Sequence, residues 1–169
     1  METNNLPPLT LREAEDGEAN LLLNSWLMSY KATKCGNRQE RVESAGAEEV
    51  VGRAMDTQRY FKGQQALISA LAARRRVLVV CDADDPMFVV GWACGTLREL
   101  PDASKELVVD YVYVKHAYRK NGIARELFRG LGWAPGVPII ATHWTKPCNA
   151  KAVKYSIVFD DYEISLGAA

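Results

Sequence analysis

The stretch Val112-Tyr113-Val114-Lys115-His116-Ala117-Tyr118-Arg119-Lys120-Asn121-Gly122-Ile123-Ala124-Arg125-Glu126-Leu127-Phe128 has the residue types and order of an anion site. An apolar run ends, a basic turn follows, and an amphipathic helix begins at a glycine. The first amides of a helix have no intrahelical acceptor, and the helix dipole adds positive potential there. A phosphate or pyrophosphate is the natural occupant. Gly122 lets backbone approach an anion, Ala124 leaves room beside it, and Arg119 and Lys120 add formal charge. The same spacing also fits an ordinary strand-to-helix turn with a surface Arg-Lys pair. A second basic group, Arg74-Arg75-Arg76, reads as a helix C-terminus with a solvated face or as another anion site. Cysteines at 35, 81, 94 and 148 form no C-x-x-C pair, and with two histidines no metal site is expected. Cys81 and Cys94 lie in apolar runs and read as small buried hydrophobes.

The elements that must position this segment follow from periodicity. Leu9 to Ala14 alternates as a strand, after a loose lead-in over residues 1–8. Asp16 is a candidate N-cap for a helix through Tyr30, with Leu22, Trp26, Ser29 and Tyr30 on one face. Lys34 to Gly46 is polar and reads as a loop. Ala47 to Met55 reads as a short helix, and a clearer one runs from about Gln58 to Arg74. Val77–Cys81 and Phe88–Gly95 read as strands joined by the turn Asp82-Ala83-Asp84-Asp85-Pro86. A second hairpin connection, Leu100 to Lys105, leads to a strand at Leu107–Val114. The helix after it is expected over Gly122–Trp133, stopped by Pro135, Gly136 and Pro138. A strand at 137–144, a short helix at 149–156 and one or two strands in 157–165 complete the chain. The order β-α-α-β-β-β-α-β-α-β predicts one α/β domain over 1–169, with a mixed sheet and helices on both faces. The crossover between residues 107 and 144 should be right-handed, with parallel strands.

Composition narrows the function class. The 169 residues carry 21 Lys and Arg against 21 Asp and Glu, a net charge of zero that argues against a dedicated nucleic-acid binder. With 48% hydrophobic and 25% charged residues the chain should bury a core, unlike a disordered one. No apolar run approaches the roughly 18 residues of a membrane span, and Met1 to Thr10 does not read as a signal peptide. A cytoplasmic protein with reduced thiols is the expectation.

Arg119-Lys120-Asn121-Gly122-Ile123-Ala124 matches the signature Gln/Arg-x-x-Gly-x-Gly/Ala, and here the sequence resembles the GNAT superfamily of N-acetyltransferases. Val112 and Val114 ahead of the motif, the Tyr118-Arg119 step and the element order from Leu9 to Ile164 extend the likeness over nearly the whole chain. The segments NSWLMSY and YVYVKHAYRKNGIAR are similar to compact GNAT-like proteins of phages and bacteria.

The resemblance implies an acetyl-CoA site between splayed parallel strands, 107–114 and 138–144. The pantetheine arm would bond to backbone near Val112, Tyr113 and Val114, with an N–H near Tyr113 polarising the thioester. The pyrophosphate would sit on the amides of Lys120, Asn121, Gly122, Ile123 and Ala124. Asp110 aligns with the strand position where many members carry a catalytic Glu. It is the candidate base, or else a carboxylate paired with a Lys or Arg or holding the substrate amine. Asn149-Ala150-Lys151-Ala152-Val153-Lys154-Tyr155-Ser156 is similar to the family's Asn-x-x-Ala-x-x-Leu-Tyr helix but departs after its Asn and Ala. Asn149 is carried over as a donor-site residue. Tyr155, one residue early, is the candidate acid or a packed core tyrosine, with Ser156 and water as other proton sources. His143 reads as a second proton carrier or a structural histidine, and His116 as a surface residue. Cys148 has no evident base partner for covalent catalysis. The implied function is direct acetyl transfer from acetyl-CoA to an unidentified primary amine. A non-catalytic acyl-CoA-binding module and a nucleic-acid-modifying enzyme are the alternatives. The Lys34–Gly46 loop and the Leu100–Lys105 hairpin should decide the acceptor, and homodimers are common among such proteins.

Overall fold

The computed structural model describes residues 7–18, 22, 24, 25, 57–142, 152, 153 and 155–160. The chain forms two compact units, residues 16–70 and residues 1–15 together with 71–169. In the first, the described residues comprise a short turn of 3-10 helix at Asp16–Glu18, helical positions at 22, 24 and 25, and most of helix α1 (Thr57–Arg74). The first half of the expected N-terminal helix, the Lys34–Gly46 loop and the expected helix at 47–55 lie largely or wholly outside the described residues.

The larger unit is a six-stranded sheet in the order β1-β2-β3-β4-β5-β6. Its strands are β1 (Leu9–Glu13), β2 (Arg76–Asp82), β3 (Val89–Glu99), β4 (Lys105–Val114), β5 (Ile139–Ala141) and β6 (Ile157–Phe159). Strands β1 to β4 pair antiparallel, whereas β4–β5 and β5–β6 pair parallel. The expected mixed sheet is therefore present, including the parallel crossover from β4 to β5. The β3–β4 hairpin is longer than its apolar runs suggest. Pairing continues through Thr96–Glu99, where Arg98 and Glu106 form an ion pair across the strands. Opposite charges facing each other across a ladder stabilise polar strand ends that hydropathy leaves out.

Helix α2 (Ile123–Gly130) fills that crossover. Ile123 and Leu127, four residues apart on one face, are buried with Leu131 against Leu78, Val80, Val90, Ala93, Leu107, Val109 and Ile139. The helix ends three residues before the expected Trp133. Gly132 takes φ +104°, and the Trp133 amide folds back to the Phe128 carbonyl at 2.9 Å. A left-handed glycine closes the helix before the prolines are reached.

Leu127 is fully buried at the centre of this cluster. Leu127→Ala should lower unfolding free energy by about 2–5 kcal/mol, read as a shift in denaturant midpoint at constant slope. An unchanged midpoint would show that α2 does not anchor the sheet.

Candidate functional site

The site begins at an irregularity in β4. Opposite Cys94 stands Tyr111, but opposite Gly95 stands Val109, so Asp110 is the extra residue of a β-bulge. A Cβ on Gly95 would lie 2.4 Å from the Val108 carbonyl oxygen and 3.3 Å from Val109 Cα. Only glycine leaves β4 room to approach there. The parallel ladder with β5 stops at the same level. Its last pair is Val109 with Ala141, followed by Thr142, whose amide donates to the Val109 carbonyl (3.2 Å) and whose hydroxyl donates to that of Asp110 (3.4 Å).

Beyond the bulge, β4 pairs only with β3 among the described residues. The Lys115 amide donates to the Val90 carbonyl. Since bonded and non-bonded pairs alternate in an antiparallel ladder, Tyr113 and Tyr111 bond to β3, while Val112 and Val114 turn their backbone groups to the other edge. The amide expected to polarise a thioester, that of Tyr113, is thus directed at Trp92 on β3. The donors on the open edge belong to Val112 and Val114. Arg119 reaches back with its Nε to the Val114 carbonyl (2.9 Å), which leaves the Val112 N–H and C=O and the Val114 N–H facing that edge.

Next comes the basic turn. Lys120 has φ +71° and Gly122 φ +82°, two left-handed residues around Asn121, whose side-chain amide ties to the Tyr118 and Arg119 carbonyls. A Cβ on Gly122 would meet nothing within 4 Å. The glycine is therefore required by its backbone angle, not by crowding. The amides of Arg125 and Glu126 return to the Gly122 carbonyl. Those of Lys120, Asn121, Gly122, Ile123 and Ala124 donate to no acceptor among the described residues, and no side chain caps the helix. Alternating left-handed residues before a helix start make a concave row of N–H groups suited to an anion.

The two proton-transfer candidates lie on opposite faces of the sheet. Val109, Val112 and Val114 face α2. The Asp110 side chain turns the other way and is fully buried, with Oδ2 3.2 Å from Arg75 Nε. The same face carries Cys94 and the stacked pair Trp92 and Tyr111, whose ring centroids are 4.8 Å apart. Burial, reinforced by the charge of Asp110 and partly offset by Arg75, pushes the Cys94 thiol far above its ordinary range. Cys94 and Cys81 are buried free thiols, the inert kind.

Tyr155 packs on the α2 side, edge-on to Trp133 at 6.1 Å between centroids. Its hydroxyl lies 3.5 Å from Arg125 Nη2, and this hydrogen bond raises the exposed Arg125 guanidinium above its ordinary value. Asn149, His143 and Cys148 lie outside the described residues. His116, exposed in a short 3-10 turn, is a surface residue. The Leu100–Lys105 turn is fixed by Asp102, which accepts from the Ser104 amide and hydroxyl. It sits at the start of β4, about 16 Å along the strand from Asp110. No group of three His, Cys, Asp or Glu converges among the described residues, and no described helix is long and apolar enough to cross a membrane.

Three contributors escape a reading of the sequence. Arg75 is hidden in a triplet whose members separate: Arg74 is exposed, Arg75 turns to Asp110, and Arg76 bonds Glu13 and the Gly130 carbonyl. Arg125 carries no motif, although one helical turn after Gly122 places it beside the amide row. Gly95 looks like any strand glycine, and only its position opposite Val109 gives it a role.

An open mixed sheet whose fourth strand parts from the fifth above an amide-lined helix start defines the class of protein. The sequence model of the acetyltransferase (GNAT) family matches residues 42–155. The chain belongs to that family. Its fold is similar to that of an aminoglycoside N-acetyltransferase solved in complex with CoA (12% identity, 90% of this chain and 88% of that one, TM-score 0.46). It is also similar to a ribosomal-protein-alanine N-acetyltransferase from Brucella melitensis biovar Abortus 2308 (16% identity, 90% and 80% covered, TM-score 0.41). A transcriptional regulator from Bacillus halodurans C-125 is a further likeness (15% identity, 88% and 89% covered, TM-score 0.42). No curated protein matches the chain in sequence.

The close approach at Gly95 is directly testable. Gly95→Ala should destabilise the fold by about 1–3 kcal/mol, because Cβ meets backbone that no rotamer change relieves. A thermal melt matching that of the parent would show that the bulge does not depend on glycine.

Proposed function

We propose that this protein transfers the acetyl group of acetyl-CoA to a primary amine by direct attack within a ternary complex. The observation that carries this reading is the row of five unengaged amides at Lys120–Ala124, continuous with the open backbone edge of Val112 and Val114. The pyrophosphate fits the amide row, where helix dipole and local charge both favour an anion. The pantetheine arm fits the β4 edge as an added strand, bonding to Val112 and Val114. Arg125 and Tyr155 flank the donor on the α2 side, and Asn149 completes its site.

The amine approaches from the opposite face, where Asp110 stands. A water relays one ammonium proton to the Asp110 carboxylate, which is too short and too buried for direct contact. The amine nitrogen then attacks the thioester carbonyl carbon, the developing oxyanion is met by an open-edge amide of β4, and the C–S bond breaks. The thiolate leaves as CoA and takes a proton from the Tyr155 hydroxyl, which Arg125 holds in place. The acceptor is a soluble primary amine, and the protein works in the cytoplasm.

The test is thiol release from acetyl-CoA across a panel of amines, with binding measured by calorimetry. Release should require an amine. Gly122→Glu, which places a carboxylate in open space beside the amide row, should weaken acetyl-CoA binding at least about 100-fold, by analogy with like-charge juxtaposition costing several kcal/mol. Binding without turnover on any amine would leave a donor-binding module instead. Unchanged affinity in Gly122→Glu would remove the anion site altogether.

Asp110→Asn separates the base role from the others. At saturating acetyl-CoA it should lower turnover by about 100-fold or more and abolish the rise of rate with pH governed by the base. Turnover within a few-fold of the parent would assign the proton to water alone.

A further inference from the structure

Arg75 lies outside the donor site and outside the motif, yet it is the member of its triplet that turns inward. Its side chain is 13% exposed, and its Nε meets the Asp110 carboxylate, itself 0% exposed, at 3.2 Å. Asp110 is the extra residue of the β4 bulge. Its carbonyl receives the Thr142 hydroxyl, and the preceding Val109 carbonyl receives the Thr142 amide. One residue therefore ties three parts of the chain: the segment leaving α1, the end of the β5 ladder, and the start of the unpaired edge of β4. Burying an ion pair brings little net stability over an apolar pair of similar volume. Its distinctive contribution is positional, because a charged group fixes where its partner must sit while an apolar neighbour tolerates sliding.

Resting on the acetyl-CoA reading above, we propose that Arg75 is a positioning residue for that reaction. Through Asp110 it pins the bulge, and so sets the phase of the Val112 and Val114 backbone groups that receive the pantetheine arm. Without this anchor β4 can lose the bulge. Removing one residue of phase exchanges the backbone groups facing β3 with those facing the open edge, and turns the side chains of Val112 and Val114 away from α2. The amide row at Lys120–Ala124 is built by its own left-handed turns and does not depend on Arg75.

That separation supplies the test. Calorimetric affinities would be measured for acetyl-CoA and for 3'-phospho-ADP, the nucleotide end of CoA without its pantetheine arm. In Arg75→Gln, acetyl-CoA should bind about 10-fold more weakly, while 3'-phospho-ADP binds as to the parent. Arg75→Lys, which restores the charge, should recover most of the loss. Hydrogen exchange of the 107–114 segment should accelerate in Arg75→Gln and return towards the parent rate in Arg75→Lys. If Arg75→Gln does not fold, Asp110→Asn removes the same ion pair from the other side and should show the same split between ligands. Equal affinities for both ligands in parent and variant would overturn the proposal alone. Equal losses for both ligands would also overturn it, since a general weakening of the fold predicts no split. A parent that binds neither ligand would sink the acetyl-CoA reading, and this proposal with it.

Discussion

Everything distinctive about the larger unit depends on one misfit between β3 and β4. Gly95 leaves no Cβ between itself and the Val108 carbonyl, and the strand opposite uses that space to take in one extra residue, Asp110. A bulge increases local twist and changes the phase of the backbone. Here it comes where the parallel ladder with β5 runs out, so the two strands cooperate below it, and above it β4 is left with one bonded edge. An unpaired edge is ordinarily a liability, since its N–H and C=O groups invite another strand. In this chain the edge is short, and one of its carbonyls is already taken by Arg119. What remains has the length and pattern of a site for an extended ligand.

Charge is distributed in keeping with that geometry. A net charge of zero conceals a division of labour among the basic residues. Arg76 holds Glu13 and the end of α2, Arg98 holds Glu106, Lys115 lies 3.8 Å over the Phe88 ring, and Arg75 serves Asp110. Exposed pairs of this kind contribute little to stability. Their effect is to commit cations to particular neighbours. Lys120 is held by no such pair, so positive potential gathers at the helix start where five amides already point outward. The anion site is thus mostly backbone, with side chains adjusting its field.

This explains what could and could not be read from the residues alone. The strands, the hairpins and the parallel crossover follow from hydropathic period and turn chemistry, which are local. The motif from Arg119 to Ala124 is legible because φ above zero at Gly122 is a local demand that selects glycine. The bulge is not legible, because it depends on a residue fourteen positions earlier on a different strand, and Gly95 differs in no local way from Gly91. The phase beyond the bulge was therefore out by one, which is why Tyr113 drew attention as the amide donor when the alternation assigns the open edge to Val112 and Val114. The end of α2 was misjudged for a similar reason. Prolines are conspicuous, whereas Gly132 acts first by turning left-handed.

The placement of Asp110 and Tyr155 on opposite faces follows from the same bulge. Val109 faces α2, and an uninterrupted strand would turn residue 111 that way too. The extra residue instead keeps Asp110 and Tyr111 on the far side and returns Val112 to the α2 side. Tyr155, reached by a separate crossover, packs with Trp133 on the side of α2. A reaction joining two substrates across a parted sheet needs one to lie along α2 and the other to come through from behind. The acid that serves the leaving group then belongs with the first, and the base that serves the nucleophile with the second. Inserting a single residue into β4 achieves that separation without a second domain, because a backbone shifted by one position assigns its donors to the gap and its carboxylate to the face behind it.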